Sequence, residues 1–170
     1  MPKITSYLAI GSNLGDRFTN IRRSIRYLQS NPRISIRKIS RLYETSPRGG
    51  PKNQPQYLNA AVKIETSLNP FDLLQYLKTI EKKLKRRTPV RWGARTIDLD
   101  ILFFNDLVLL HRDLCIPHPL LHTRIFVLKP LSEIAAGAIH PLRKKGVRAM
   151  LKELHGRNKK EITVFTKDKT

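Results

Sequence analysis

The segment Asp98-Leu99-Asp100-Ile101-Leu102 sets two carboxylates two residues apart among apolar side chains. In an extended strand the side chains alternate, so Asp98 and Asp100 share one face with Cβ atoms roughly 7 Å apart, while Leu99 and Ile101 turn to the other. Carboxylates held this close repel unless a cation lies between them. Hard oxygen ligands of this kind suit Mg2+, which combines a few carboxylates with phosphate oxygens. By itself D-x-D is equally the pattern of a solvated acidic strand face or of two ordinary salt bridges, and so short a pattern recurs by chance. The residues just upstream shift that balance. Arg91-Trp92-Gly93-Ala94-Arg95-Thr96 brings guanidinium forks that match phosphate oxygens. Its indole could lie on a flat heterocycle or join the core. Cations, a carboxylate pair and an aromatic ring within one short stretch are the parts that phosphoryl transfer requires.

Downstream stand Ile116-Pro117-His118-Pro119, then His122, Arg124 and Phe126. A histidine between two prolines is rigidly held, and serves either as a phosphate donor or as a plain loop residue. Two phosphate cradles are absent from the sequence. It contains no G-x-x-x-x-G-K-[ST], and Gly11-Ser12-Asn13-Leu14-Gly15-Asp16 does not match G-x-G-x-x-G and reads as a tight strand-to-helix turn. There is no Ser-His-Asp order and no metal-ligand spacing of histidines.

The elements that must hold these residues follow from periodicity. Residues 4–10 form an apolar run closed by Gly11, which suits a buried strand. Phe18, Ile21, Ile25 and Leu28 recur at helical spacing, with Arg17, Arg22, Arg23 and Arg26 outside, Asp16 as cap and Asn31-Pro32 as stop. Residues 34–43 are β-branched and predict one strand, 45–56 a loop rich in proline and glycine, and 57–66 a further strand. Asn69-Pro70 starts a helix whose expected buried stripe is Phe71, Leu74, Leu77, Ile80 and Leu84. Residues 98–104 make the fourth strand. After it come an apolar stretch at 107–116, a helix at 126–134, a helix at 147–154 and a lysine-rich end expected to fray. The order β-α-β-β-α-β predicts an α+β fold: a ferredoxin-like βαββαβ sandwich with an antiparallel sheet, helices on one face, and additional C-terminal helix and strand elements. The expected division is a catalytic domain at 1–155 and a basic C-terminal tail at 156–170.

Composition bounds the rest. A chain of 170 residues with 40% hydrophobic side chains fits one folded domain. One cysteine, Cys115, excludes an internal disulfide framework and a cysteine-based zinc site. Without a signal-peptide layout or a bilayer-length apolar run, the chain reads as cytoplasmic, with no membrane as partner. Lys and Arg number 33 against 13 Asp and Glu, a formal charge of +20. Such a field draws polyanions, although much of it could simply solvate the surface.

Taken together, A-I-G-S-N-L-G-D at 9–16, Y-E-T-S-P at 43–47, Q-P-Q-Y-L-N-A-A-V at 54–62, R-W-G-A-R-T-I-D-L-D-I-L at 91–102 and I-P-H-P-L-L-H-T-R-I-F-V-L-K-P-L at 116–131 resemble the 6-hydroxymethyl-7,8-dihydropterin pyrophosphokinases of folate biosynthesis. The resemblance covers about residues 4–135 in the family's order and spacing. It implies an ATP-dependent enzyme that transfers pyrophosphate from ATP to the pterin's hydroxymethyl group and releases AMP. It implies two Mg2+ ions on Asp98 and Asp100, with Arg86 and Arg95 as further catalytic residues. The positions matching the pterin pocket are Gly11, Thr45, Pro47, Tyr57, Asn59, Trp92 and Phe126. Those matching the ATP site are Glu81, Arg87, Trp92, Arg95, Ile101, Cys115, His118 and Arg124. No general base is evident, so a hydroxyl acidified by the metal ions is the expected nucleophile. The expected unit is a monomer.

One stretch departs from the family pattern. Lys82-Lys83-Leu84-Lys85-Arg86-Arg87-Thr88 lacks the glycine of the family's loop and is one residue shorter, with Arg86 and Arg87 matching its two arginines loosely. Two rivals belong to other classes. An RNA-binding module would need RNP-like surface aromatics on central strands, which Tyr57-Leu58-Asn59-Ala60-Ala61-Val62 does not supply. Non-specific, salt-sensitive nucleic-acid binding by the helix arginines stays open. An inactive homologue kept as an interaction subunit is opposed by the intact acids and Arg95.

Overall fold

The computed structural model describes residues 3–47, 51–85, 93–155 and 162–167. Its elements in chain order are β1 (Ile4–Ser12), α1 (Arg17–Gln29), β2 (Ile34–Ile39), β3 (Tyr43–Thr45), β4 (Tyr57–Thr66), α2 (Pro70–Lys83), β5 (Asp98–Phe104), β6 (Leu109–Leu110), β7 (Cys115–Ile116), α3 (Ile125–Ile134), α4 (Val147–His155) and β8 (Ile162–Val164), with a 3-10 turn at Leu121–Thr123. The main sheet runs β5-β1-β4-β3-β8, with β2 beside β3 along the same edge of β4, and every pairing is antiparallel. That is the expected ferredoxin-like order with one strand added. No helix among the described residues is long and apolar enough to cross a membrane.

Local chemistry sets the helix starts. The Asp16 carboxylate accepts from the Thr19 N–H at 3.0 Å, and the Asn69 amide oxygen accepts from the Asp72 N–H at 2.8 Å with Pro70 just inside. Gly15, at φ 69°, makes the turn before α1 in a conformation that suits glycine.

The strands alternate as their sequences require. Leu8, Ile10, Leu58, Val62, Ile64, Leu99 and Ile101 bury one face against Ile21 and Leu28 of α1 and Leu73, Leu77 and Ile80 of α2. The opposite face carries Tyr7, Ala9, Ala61, Leu102 and Phe103 against Ile125, Leu128 and Leu131 of α3 and Val147 and Met150 of α4. Helices therefore cover both faces, not one as expected, because the apolar α3 needs a face of its own. In α2 the buried stripe runs through Leu73, Leu77, Ile80 and Leu84. Phe71 instead lies 40% exposed at the helix start, and Leu74 is half-buried.

Three further differences have identifiable causes. The strand expected at 34–43 is broken after Ile39. Three residues (40–42) there oppose two of β4, and Ser40 Oγ replaces a ladder carbonyl as acceptor of the Ala61 N–H at 2.9 Å. Arg41, in the break, meets Glu133 of α3 through its backbone N–H and guanidinium, and the Tyr43 hydroxyl donates to the same carboxylate. In β5 a register shift opposite Tyr7 and Leu8 turns both Leu102 and Phe103 to the α3 face. The end expected to fray contains β8, which pairs with β3, and the Phe165 N–H that follows donates to the Leu42 carbonyl at 2.9 Å.

Candidate active site

The register lines the central residues up across the sheet. Gly11 of β1 pairs with Asp98 of β5 on one side and Asn59 of β4 on the other, and Asn59 pairs in turn with Tyr43 of β3. Asp98 and Asn59 are thus two inter-strand steps apart, about 10 Å. Only the hydrogen of Gly11 lies between them. A Cβ there would meet Asn59 Oδ1 at 3.2 Å and Tyr57 Cδ1 at 3.7 Å. Above this rung opens a cavity of ≈ 600 Å³. Eleven expected residues line it: Gly11, Thr45, Pro47, Tyr57 and Asn59, with Arg95, Asp98, Asp100, His118, Arg124 and Phe126.

The acidic end is electrostatically strained. Burial, then the neighbouring Asp98 and Glu81, push the Asp100 carboxyl up to about 7, against the pull of Lys78 and Arg124. Arg95 Nη1 donates to Asp98 Oδ2 at 2.7 Å. Burial opposes the charge on Arg95, but Asp98 overrides it and holds the guanidinium above its ordinary value. Arg95 Nε is buried without a hydrogen-bond partner among the described residues, a donor ready for an anion. Burial and then Arg124 press His118 down to about 4, so its ring is neutral at pH 7. His118 Nδ1 accepts from the Leu120 N–H at 3.1 Å, which leaves the ring proton on Nε2. Burial lowers Arg124 from its ordinary value while Asp100 and Asp98 oppose that shift, and its guanidinium carbon lies 5.7 Å from the Phe126 ring centroid. A crowded carboxylate pair beside an unpartnered cationic donor fits a divalent cation with its phosphate.

The supporting contacts are long-range. The Leu102 carbonyl accepts from the His118 N–H at 3.1 Å, fixing the Pro-His-Pro turn over β5. Asn13 accepts from the Arg95 N–H through Oδ1 at 2.7 Å and donates through Nδ2 to Gln54 Oε1 and the Pro55 carbonyl. One buried amide thus ties the Arg95 segment to the 51–56 loop. Arg17, at the start of α1, meets Glu44 at 2.6 Å and the Gln56 carbonyl at 2.9 Å. It staples together the two ends of the loop that supplies Ser46, Pro47 and Gln54 to the cavity. At the other end, Asn59 Nδ2 donates to Thr45 Oγ1 at 2.8 Å.

Three expected residues stand away from the cavity wall. Ile101 is buried on the α1–α2 face, as strand alternation with Asp100 requires. Cys115 lies in β7, its thiol 3.4 Å from the His111 carbonyl. Glu81, buried on α2, accepts the Leu99 N–H at 2.9 Å and so braces the outer side of β5. Arg86, Arg87 and Trp92 lie outside the described residues. Sequence reasoning passed over Ala9, Ser46, Gln54, Leu120, Thr123 and Val127, which line the cavity. Each lies inside or beside a motif already singled out, and that neighbourhood was the available signal.

Comparison with known proteins bears on the family and fold of the chain. Residues 7–136 match the family described as 7,8-dihydro-6-hydroxymethylpterin-pyrophosphokinase. The 2-amino-4-hydroxy-6-hydroxymethyldihydropteridine pyrophosphokinase of Bacillus subtilis strain 168 is 48% identical over 129 residues, covering 76% of this chain and 77% of that protein. The bifunctional protein FolKE of Lactococcus lactis strain IL1403 is 44% identical over 130 residues, covering 76% of this chain but 37% of its own length. Among solved structures, an HPPK-DHPS in complex with substrates superposes with a TM-score of 0.71 at 18% identity. That match covers 94% of this chain and 46% of the other, and carries the fold alone.

Proposed function

The chain belongs to the 7,8-dihydro-6-hydroxymethylpterin-pyrophosphokinase family, and we propose from that premise which of its residues carry the reaction. It is an ATP-dependent pyrophosphokinase of folate biosynthesis that transfers pyrophosphate from ATP to the hydroxymethyl oxygen of 6-hydroxymethyl-7,8-dihydropterin, leaving AMP. The observation that supports the residue assignment is the rung Asp98–Gly11–Asn59 beneath one cavity. Acids and cations gather toward its β5 end, amide and aromatic groups toward its β4–β3 end, and a glycine keeps the middle open.

In this reading the pterin lies at the β4–β3 end. Tyr57 and Phe126 offer aromatic surface to a flat bicyclic ring. With its amide N–H committed to Thr45, Asn59 keeps Oδ1 as an acceptor for a ring N–H. Gly11 and Pro47 shape the remaining wall, and the hydroxymethyl group points toward β5. ATP enters from the other end. Asp98 and Asp100 are the proposed ligands of two Mg2+ ions, which when bound neutralise phosphate charge and acidify the attacking hydroxyl. Arg95, with Nη1 on Asp98 and Nε unpartnered, donates to a phosphate oxygen. Neutral His118 does the same through Nε2–H, and Arg124 adds a second guanidinium. As the bond to the AMP oxygen breaks and the bond to the hydroxymethyl oxygen forms, these fixed donors meet the charge that develops on the moving group. The rung is complete within one chain, and the proposed working unit is the monomer.

The test is to supply ATP, Mg2+ and hydroxymethyl-dihydropterin and to follow nucleotides and pterin products together. The expected result is one AMP for each pyrophosphorylated pterin. Asp98→Ala and Asp100→Ala should each abolish turnover with melting transitions retained. A double variant that still turns over would overturn the assignment of the acids.

A further inference from the structure

Transfer of pyrophosphate leaves the outward surface of α1 unused. Its sequence, RFTNIRRSIRYLQ, contains no acidic residue, and Arg22, Arg23 and Arg26 are exposed. An aromatic ring lies toward each end of this surface, and each is covered by cations. Phe18 has the Arg22 guanidinium carbon 5.7 Å and Lys167 Nζ 4.8 Å from its centroid. Tyr27 has Lys83 Nζ of α2 5.2 Å from its centroid. Cations from α1, from the end of α2 and from the segment after β8 therefore converge on one face. Acids hold only some of the basic side chains, as in Arg37–Glu65, Arg41–Glu133, Lys145–Glu153 and, at the first residue of α1, Arg17–Glu44. Among the described residues, Arg22, Arg23, Arg26 and Lys83 have no such ion pair. The neighbouring carboxylate, Asp16, is engaged in capping α1.

We propose that this α1 face binds single-stranded RNA through its phosphodiester backbone. Unpaired arginines in a row release counterions when they meet successive phosphates, and their planar guanidinium groups can stack on unpaired bases. A duplex fits less well. Groove reading needs a helix free to enter the groove, whereas α1 is flanked by α2, whose Tyr76 hydroxyl donates to the Tyr27 carbonyl. A lipid surface fits less well too. An interfacial helix inserts large apolar side chains, and none of the exposed large hydrophobics among the described residues lies on α1. A flexible strand needs neither a groove nor an apolar face.

The test is fluorescence anisotropy of a short labelled oligouridine with the full chain at a series of salt concentrations. Replacing Arg22, Arg23 and Arg26 together by Gln should weaken binding by roughly tenfold or more. It should also lower the log–log salt slope by about 2, as three lost phosphate contacts require, with pyrophosphoryl transfer unchanged. A matched control, Lys144→Gln with Arg148→Gln and Lys152→Gln on exposed positions at and before α4, should leave affinity and slope alone. Equal weakening in the control would reduce the effect to net charge and overturn the proposal. So would displacement of the RNA by Mg-ATP, which would place it in the catalytic cavity. Tighter binding to a duplex of the same length, or to anionic vesicles, would overturn it as well.

Discussion

The two faces of the central sheet are built from the same strands and behave as opposites. On one, Leu8, Ile10, Leu58, Val62, Leu99 and Ile101 pack against α1 and α2 with almost no exposed surface. On the other, shifted by a single residue along each strand, Gly11, Tyr57, Asn59, Asp98 and Asp100 border an open cavity. The first face gains by removing apolar area from water. The second holds a buried carboxylate pushed up to about 7 and an unpartnered guanidinium nitrogen, both of which weaken the fold in the absence of ligands. Because the two sets alternate residue by residue, the stable face fixes the geometry of the strained one. Substitutions one residue apart should therefore separate activity from stability.

The largest contrast is expected at Asp100. Asp100→Asn should lower turnover by roughly 10³-fold or more, the scale of losing a group that organises transition-state charge. It should at the same time raise the melting temperature of the metal-free protein by several degrees at pH 8. The sign follows from a carboxyl whose folded value lies above its unfolded one. Its contribution to stability is complete below the ordinary carboxylate range near 3.8 and is lost as pH rises through about 7. Melting curves from pH 5 to 8 in a chelator would check this. A variant no more stable than the parent at pH 8 would mean that Asp100 is not strained. Mg2+ should offset much of the parent's loss.

One residue away, Leu99 is fully buried against the helices. Leu99→Ala should cost about 2–5 kcal/mol of stability, read as the shift in a urea transition. Turnover by the fraction that remains folded should change little. A large loss of turnover without loss of stability would show that the two faces are not separable.

Much of this contrast is legible in the sequence. Alternation places Asp98 and Asp100 opposite Leu99 and Ile101 from the residues alone, and the caps at Asp16 and Asn69 depend on a few neighbouring positions. The rest depends on partners far along the chain. Nothing near Ser40 signals that its hydroxyl will take the Ala61 N–H, or that Arg41 will reach Glu133 ninety-two residues later. The phase of α2 is set by the shape of the sheet beneath it, which selects Leu73 over Leu74. The role of Asn13, between Arg95 and Gln54, becomes visible only when three separated segments meet.

At the middle of the rung, Gly11→Ala should raise KM for the pterin by roughly tenfold, with a smaller change in KM for ATP. The added methyl approaches Asn59 Oδ1 to 3.2 Å and Tyr57 Cδ1 to 3.7 Å, so it intrudes on the amide and aromatic end. That estimate corresponds to about 1.4 kcal/mol of lost binding. An equal rise in both constants would move the pterin away from Asn59.

The smallest expected effect lies at Arg17, outside the cavity. Its guanidinium joins Glu44, just before the 46–56 loop, to the carbonyl of Gln56 at the loop's end. The loop supplies Ser46, Pro47 and Gln54 to the pterin end. Without the staple the loop must be ordered on binding, and that cost falls on the substrate it touches. Arg17→Ala should therefore raise KM for the pterin by roughly threefold, about 0.7 kcal/mol, with kcat nearly unchanged. Arg17→Lys should restore part of it, since one nitrogen, Nη1, makes both contacts and an ammonium is a charged donor of the same kind on a more flexible stem. Steady-state kinetics with each substrate varied in turn would distinguish this from general loosening. A loss shared by kcat and both KM values would place Arg17 in the stability of α1 rather than in holding the loop.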